Sequence, residues 1–226
     1  DVPWEGRDRE DLSGFTLPAW TLSQQDDTIT VTTDSLRATV HQPLWIEWHY
    51  RNAEGEWQPL VNDRPTSAYL VNAHGDGVAH YQSRRKDERF YGLGDKAGDL
   101  QRGGKRYEMR NLDAMGYNAV STDPLYKHIP FTITRRDDVS FGLFYDNLSS
   151  CWLDLGNEID NYHTAYRRWQ AEAGDIDYYL FTGERVLDVT KAFVRLTGKT
   201  LFGPKWSLGY SGSTMHYTDA PDAQNQ

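Results

Sequence analysis

Side chains suited to acid–base or nucleophilic chemistry are plentiful, but none forms a local catalytic motif. The chain has 33 acidic residues, and spacing alone selects no facing pair of carboxyl groups among them. No two histidines show the H-x-x-x-H or H-E-x-x-H spacing that places two metal ligands on one helical face. Cys151 has no nucleophile signature around it. The histidines, interpreted as solvated or hydrogen-bonded side chains, are His41, His49, His74, His80, His128, His163 and His216.

Residues 92–97 (GLGDKA) match the G-x-G-x-x-A form of the dinucleotide-binding fingerprint. That fingerprint requires a helix that begins at the glycines and directs its backbone N–H groups at a pyrophosphate. The residues that follow, 98–104 (GDLQRGG), are unable to open such a helix. We therefore interpret the glycines as a tight bend after a strand.

Composition places the chain among ordinary globular proteins and excludes several kinds of partner. Of its 226 residues, 38% are hydrophobic and 25% are charged, and the formal net charge is −9. This acidic balance argues against a nucleic acid or an anionic membrane as partner. No apolar run approaches the roughly 20 residues that span a bilayer. A single cysteine excludes an internal disulfide, and residues 1–6 show no signal-peptide pattern, which leaves the compartment open.

Most of the chain shows the short, alternating, β-branched pattern of strands. Polar segments such as residues 52–55 (NAEG) supply the turns. Many short strands joined by polar turns predict a mainly β fold, an antiparallel β-sandwich. The predicted strands are residues 28–33, 36–40, 44–50, 68–71, 89–93, 106–110, 131–134, 140–145, 151–155 and 177–181.

The pattern changes to that of a helix near residue 184. Gly198 stands at the position of a helix C-cap. The apolar side chains that line one face of this helix are Val186, Val189, Phe193 and Leu196.

A second change follows near the end of the chain. Residues 206–210 (WSLGY) are typical of a buried strand, and Asp219 before a proline is typical of a helix N-cap. A strand and the start of a helix are unable to bury both of their faces. We therefore expect further chain beyond Gln226.

Six segments, in chain order, resemble signature motifs of glycoside hydrolase family 31. Residues 89–98 (RFYGLGDKAG) resemble "FYGLGEK-G", and residues 122–131 (TDPLYKHIPF) resemble "TDPLYKSIPF". The others are residues 107–114 (YEMRNLDA, "Y-x-M-W-N-x-D"), 142–147 (GLFYDN, "GLFFDN"), 177–183 (DYYLFTG, "DYYFIYG"), and 196–198 with 204–210 (LTG and PKWSLGY, "LTG…PPKWALGY").

The resemblance implies an architecture. Members of the family carry an N-terminal β-sandwich, a linking helix, a catalytic (β/α)8 barrel and C-terminal β-domains. On that pattern residues 1–183 are the sandwich, residues 184–204 the linking helix and connector, and residues 205–226 the start of the barrel. A whole barrel needs about 250 residues, so most of it would lie outside this chain.

The resemblance also implies an activity. The family consists largely of retaining α-glycosidases, most often α-glucosidases, in which two aspartates on later barrel strands act through a covalent glycosyl-enzyme. Neither aspartate would lie in this chain, which is then expected to be inactive alone. The implied partners are an oligosaccharide or α-glycoside substrate and the remainder of the barrel, with no metal or organic cofactor; self-association stays open.

Candidate substrate-binding residues follow from the same resemblance. Asp123 belongs to the "TDP" motif, at or beside a sandwich loop that reaches the barrel mouth in the family, and a carboxylate accepts hydrogen bonds from sugar hydroxyls. Its alternative role is that of a turn residue before Pro124. Tyr210, Met215 and His216 stand at or after the predicted first barrel strand, where barrel active sites form. Packing in the barrel wall is the alternative for each of these three.

The substrate and two rival functions stay open. Arg110 replaces the tryptophan of "M-W-N", and residues 211–217 (SGSTMHY) lack the aromatic and arginine found there in many members. α-Xylosidase, α-galactosidase, sulfoquinovosidase and transglycosylase activities are therefore alternatives to α-glucosidase. A stand-alone carbohydrate-binding sandwich would show a platform of exposed aromatic rings, and a purely structural sandwich would bind no saccharide.

Overall fold

A computed structural model describes residues 18–72, 75–136, 139–157, 160–199, 201–210 and 221. The described residues form fourteen strands and one α-helix, α1 (Val186–Thr197). The strands are β1 (Trp20–Gln25), β2 (Thr28–Thr33), β3 (Leu36–His41), β4 (Trp45–Arg51), β5 (Trp57–Asn62), β6 (Tyr69–Val71), β7 (Val78–Ser83), β8 (Arg89–Gly94), β9 (Arg106–Met109), β10 (His128–Arg135), β11 (Ser140–Tyr145), β12 (Cys151–Asp154), β13 (Tyr166–Ala171) and β14 (Tyr178–Gly183).

The strands form three antiparallel sheets, which confirms the predicted mainly β sandwich. The first sheet has the order β1-β2-β3-β4-β5, the second β6-β7-β13-β12-β9 and the third β14-β11-β10-β8. Every strand predicted before residue 184 is present, with its bounds shifted by a few residues at most. β1, β5, β7 and β13 are additional strands that the sequence pattern did not predict.

The main hydrophobic core lies between the second and third sheets. Along β11, Phe141 and Leu143 alternate with residues on the opposite face and are 0% and 2% exposed. They belong to one buried cluster with Met109 of β9 and Trp169 of β13. This packing follows from the period of two in a strand, which sends alternate side chains to one face.

α1 covers the outer face of the third sheet. Val189 is fully buried, and the ring of Phe193 stacks on that of Phe131 with centroids 4.0 Å apart. Gly142 of β11 allows this approach, because a Cβ atom there would lie 2.7 Å from Cγ1 of Val189. The predicted helix and its apolar face are therefore confirmed, and Gly198 follows the helix with a φ of +95°.

The segment after α1 differs from the prediction. Lys205–Leu208 form a 3₁₀ helix, and the side chains of Trp206 and Leu208 are 80% and 84% exposed. The prediction of a buried strand at residues 206–210 is therefore wrong for this structure. A strand needs a neighbour to satisfy its backbone groups, and none of the described strands pairs with this segment. Residues 197–226 form a compact unit separate from residues 1–196.

Candidate functional site

A tight bend follows β8, where the sequence matches the dinucleotide fingerprint. Gly92 and Gly94 have φ values of +105° and +79°. A Cβ atom on Gly94 would lie 2.9 Å from the carbonyl oxygen of Lys127. No helix begins in residues 95–104, all of which the structure describes. Both glycines lie within β8 and not after the strand as predicted, and the bend itself comes at residues 95–98. The positive φ values of the glycines let another segment of backbone approach closely.

That approaching segment is the loop of residues 110–127, which joins β9 to β10 and is called the β9–β10 loop below. The backbone N–H of Asp95 donates to the carbonyl of Lys127 at 2.9 Å. The N–H of Gly98 donates to the carbonyl of Ala119 at 2.8 Å. The bend after β8 therefore serves as the platform on which the loop rests.

The predicted site residue Asp123 lies in this loop and is held by both of its carboxylate oxygens. Oδ1 lies 2.7 Å from Nζ of Lys96, and Oδ2 accepts the backbone N–H of Glu108 at 2.6 Å. The Lys96 ammonium also donates to the carbonyl oxygen of Glu108. The Lys96 side chain is 1% exposed and that of Asp123 is 24% exposed. Since a carboxylate has about four lone-pair sites, Asp123 anchors the loop and keeps acceptor capacity towards solvent.

The tip of the β9–β10 loop is exposed and is shaped by Asn118. The Oδ1 atom of Asn118 accepts the backbone N–H of Val120 at 2.8 Å and that of Ser121 at 3.2 Å, which makes a compact turn. Met115 and Val120 are 66% and 71% exposed. Such a tip contributes little to the core and presents its side chains outward.

Aromatic and carboxylate groups also face outward from the β9–β10 loop. Tyr126 is exposed, and the Asp113 carboxylate is near enough to affect its hydroxyl. Desolvation, and then the negative charge of Asp113, raise the pKa of the Tyr126 hydroxyl, which stays protonated as a donor. Rings that stack on sugar faces beside carboxylates that accept hydroxyl hydrogen bonds are a chemistry suited to saccharides.

Charged groups surround the base of the loop. Arg110, which replaces the tryptophan of the family motif, lies 3.0 Å from Oε1 of Glu108 and 2.7 Å from Oε1 of Glu172. Burial, and then the positive charge of Lys96, lower the pKa of His128. The charge of Lys96 thus acts at the start of β10 as well as on Asp123.

A second polar cluster has catalytic residue types but no access. His80 is fully buried; its Nε2 lies 2.8 Å from Oδ1 of Asp63, and its Nδ1 lies 2.9 Å from the hydroxyl of Tyr145. Asp63 also accepts the backbone N–H of Ile46 and the hydroxyl of Tyr69. Because substrate has no access to these atoms, the cluster links the three sheets and is no active site.

The remaining candidates bring no chemistry of their own. Burial raises the pKa of the Cys151 thiol to about 12, which leaves it unreactive at neutral pH. The described residues contain no group of three or more His, Cys, Asp or Glu placed to hold a metal ion. None of the helices within the described ranges has the length and apolarity to cross a membrane.

Of the other predicted substrate-binding residues, the structure describes only Tyr210. Tyr210 is 99% exposed and belongs to the second unit, residues 197–226. Met215 and His216, and the helix start predicted at Asp219, lie outside the described residues. Sequence reasoning singled out Asp123 and missed Lys96, although Lys96 stands in the "FYGLGEK-G" segment. The signal that could have identified Lys96 is its place among the glycines of residues 92–98.

Comparison with known proteins now decides the family. Residues 8–154 match the model of the glycosyl hydrolase 31 N-terminal galactose mutarotase-like domain. The chain belongs to glycoside hydrolase family 31. It is 37% identical over 140 residues to alpha-glucosidase 2 of Bacillus thermoamyloliquefaciens, and the aligned region covers 62% of this chain and 17% of that protein. It is 34% identical over 143 residues to the alpha-glucosidase of Saccharolobus solfataricus, which covers 63% of this chain and 20% of that one.

Solved structures show the same fold. The glycoside hydrolase family 31 dextranase FjDex31A of Flavobacterium johnsoniae superposes with a TM-score of 0.70 at 29% identity, over 84% of this chain and 22% of the dextranase. A glucosidase II alpha subunit superposes with a TM-score of 0.70 at 20% identity, over 85% of this chain and 26% of that chain. The matched region therefore spans about a sixth to a quarter of the length of these family 31 relatives.

Proposed function

We propose that the chain is the N-terminal part of a retaining α-glycoside hydrolase of the α-glucosidase type, with both catalytic aspartates outside residues 1–226. The observation that carries this proposal is the 37% identity to an α-glucosidase within a family-specific domain. The proposed divisions are a sandwich at residues 1–183, a linking helix and connector at 184–204, and the start of a (β/α)8 barrel at 205–226.

In this proposal the chain supports the barrel and shapes the edge of the sugar pocket. The carboxylates on the missing barrel strands form and hydrolyse the covalent glycosyl-enzyme. The β9–β10 loop borders the pocket and contributes Asp123, while Tyr210, Met215 and His216 contact substrate from the barrel side. No metal or organic cofactor takes part in this chemistry.

The preferred sugar belongs to the proposal as well. The chain's relatives include α-glucosidases and a dextranase, the latter solved with isomaltotriose. The Arg110 guanidinium at the base of the β9–β10 loop stands where the family motif has a tryptophan. A charged and hydrogen-bonding edge in place of an apolar one favours a substrate with polar groups at this position.

Two polypeptides test the proposal: residues 1–226 alone, and the same residues joined to the region that follows them. Both are assayed with 4-nitrophenyl α-glucoside and with maltose and isomaltose. We expect no turnover by residues 1–226 and hydrolysis by the longer polypeptide. Proton NMR of the first product should show the α-anomer, as retention requires.

Three results would contradict the proposal. Turnover by residues 1–226 alone would place the catalytic groups in this chain. Release of the β-anomer would exclude a retaining mechanism. Saccharide binding by residues 1–226 without hydrolysis by the longer polypeptide would favour the stand-alone carbohydrate-binding module.

A further inference from the structure

We propose that Lys96 is a positioning residue that fixes the β9–β10 loop at the edge of the sugar pocket through its paired contacts to Asp123 and Glu108. This inference rests on the proposed function, because the pocket belongs to it. It adds Lys96, a residue of the bend after β8, which is proposed to act through Asp123 and not by touching substrate.

Burial of Lys96 shows that its charge is committed to these contacts. Its side chain is 1% exposed, and an ammonium group is costly to bury unless it is paired and hydrogen-bonded. One donor goes to Oδ1 of Asp123 at 2.7 Å and another to the carbonyl oxygen of Glu108. Hydrogen bonds of a charged donor are roughly twice as strong as neutral ones.

The contacts close a ring that joins the two ends of the loop. Glu108 is in β9, just before the loop, and its N–H donates to the Oδ2 atom of Asp123 near the loop's end. Lys96 bridges both partners from the bend after β8. Without the ammonium, Asp123 keeps a single backbone contact. The middle of the loop is then held by the hydrogen bond from the N–H of Gly98 to the carbonyl of Ala119.

The backbone of Lys96 is itself fixed by a buried arginine. Arg102 is 7% exposed, and its guanidinium donates to the carbonyl oxygens of Ala97 at 3.1 Å and of Lys96 at 3.4 Å. The bend is therefore held by contacts that do not involve the β9–β10 loop. Such preorganisation is what a group needs to orient another one.

Orientation of the loop, and not stability of the core, is the main consequence of this arrangement. Met115 and Val120 at the loop tip are mostly exposed, so the loop buries little apolar surface. Loss of the Lys96 contacts should therefore free the loop while the two packed sheets persist. This separates a positioning role from a general structural one.

The first test measures amide hydrogen exchange in residues 1–226 for the wild type and for Lys96→Met. Met keeps the length of the side chain and removes the charge. We expect amides of the β9–β10 loop and of Gly98 to exchange about 10- to 100-fold faster, as expected for loss of a charge-assisted contact. Equal exchange in both proteins would overturn the proposal whether or not any polypeptide containing this chain is active.

The second test measures kcat and KM for 4-nitrophenyl α-glucoside in the longer polypeptide. Lys96→Met should raise KM by about tenfold or more with a smaller change in kcat, because the pocket edge binds ground state and transition state alike. Lys96→Arg, which keeps a buried cation, should recover part of the loss. Asp123→Asn should resemble Lys96→Met in loop exchange.

Arg106→Met is the matched control. Arg106 lies on β9 two residues before Glu108, and its guanidinium pairs with the buried Asp154 of β12 at 3.2 Å. This variant should lower the melting temperature and leave KM unchanged. If Arg106→Met raises KM as much as Lys96→Met does, the role of Lys96 is merely structural. An inactive wild type would refute the proposed function. Amide exchange in the β9–β10 loop would still test whether Lys96 fixes that loop.

Discussion

At the scale of single residues, the buried His80 side chain links groups from different sheets. It is 0% exposed and connects Asp63, at the end of β5, with Tyr145 on β11. Replacement by leucine removes both contacts and leaves the Asp63 carboxylate buried with fewer donors. We expect a loss of about 3 kcal/mol in the free energy of unfolding, measured by urea denaturation.

His41→Gln supplies the comparison for that prediction. His41 lies 3.0 Å from Oε2 of Glu47 on the first sheet, and their side chains are 21% and 31% exposed. Exposed pairs of this kind contribute about 0.5 kcal/mol. Equal losses in His80→Leu and His41→Gln would show that the buried chain of hydrogen bonds does not join the sheets.

Tyr145 and Tyr178 stay neutral at physiological pH, and the Tyr178 ring also adjoins His80, with centroids 5.1 Å apart. Burial, and then the Asp63 carboxylate, raise the pKa of Tyr178 to about 12. Burial also raises the pKa of Tyr145 well above its usual range. Both hydroxyls therefore stay protonated, and that of Tyr178 accepts the indole N–H of Trp48 at 3.3 Å.

At the scale of elements, the docking of α1 depends on one aromatic side chain. The Phe193 ring stacks on Phe131 and meets Phe144 edge-on, with centroids 5.2 Å apart. Phe193→Ala should lower the free energy of unfolding by about 3 kcal/mol, through lost burial and a cavity. Leu187 lies on the same helix and is 53% exposed. Leu187→Ala should therefore lower the free energy of unfolding by about 0.5 kcal/mol or less. Similar losses in the two variants would contradict the packing of α1 on the third sheet.

Local pattern was sufficient for elements whose inward positions are apolar. β11 and α1 are of this kind, with Phe141 and Leu143 inward on the one and Val189 and Phe193 inward on the other. β7 and β13 escaped prediction because polar residues stand among the apolar ones at their inward positions. Gln82 and Arg167 face each other across these strands and are 1% and 4% exposed, which reverses the alternation that identifies a strand.

The candidate site shows the same limit. Asp123 was identified from a family motif and not from spacing. Lys96 was missed because its burial depends on residues 12 and 27 positions further along the chain, which no local pattern relates to it. The strand prediction at residues 206–210 was wrong for a third reason, because a strand needs partner strands that the described residues do not supply.

At the scale of the whole molecule, two partly buried histidines make the stability of the fold depend on pH. Burial lowers the pKa of His49 and of His128, with the charges of Arg37 and Lys96 as the next contributions. Their Nδ1 atoms are buried without a hydrogen-bond partner. Protonation of either ring would thus place a charge in a partly desolvated position where Nδ1 has no acceptor.

The direction of the resulting pH dependence follows from these shifts. A histidine in the unfolded chain takes up its proton near pH 6.5, before the folded protein does, so acid favours unfolding. The contribution of His49 and His128 is complete above about pH 6.5 and is lost as pH falls towards their lower folded pKa values. Glu88 acts in the opposite sense, because burial raises the pKa of its carboxyl group. Comparing variants therefore identifies the groups responsible for the pH dependence better than the stability curve of the wild type alone.

The variant His49→Gln/His128→Gln separates the two histidines from the rest of the charge distribution. Glutamine keeps polarity and does not titrate, so the melting temperature of the double variant should fall less than that of the wild type between pH 7 and pH 5. Below about pH 4 both proteins should lose stability together, because hydrogen bonds from the backbone of Tyr162 and from His163 lower the pKa of Asp160 to about 2. Parallel curves between pH 7 and pH 5 would mean that neither histidine is responsible. The acid sensitivity would then have to come from carboxyl groups titrating across the acidic surface of a chain with a net charge of −9.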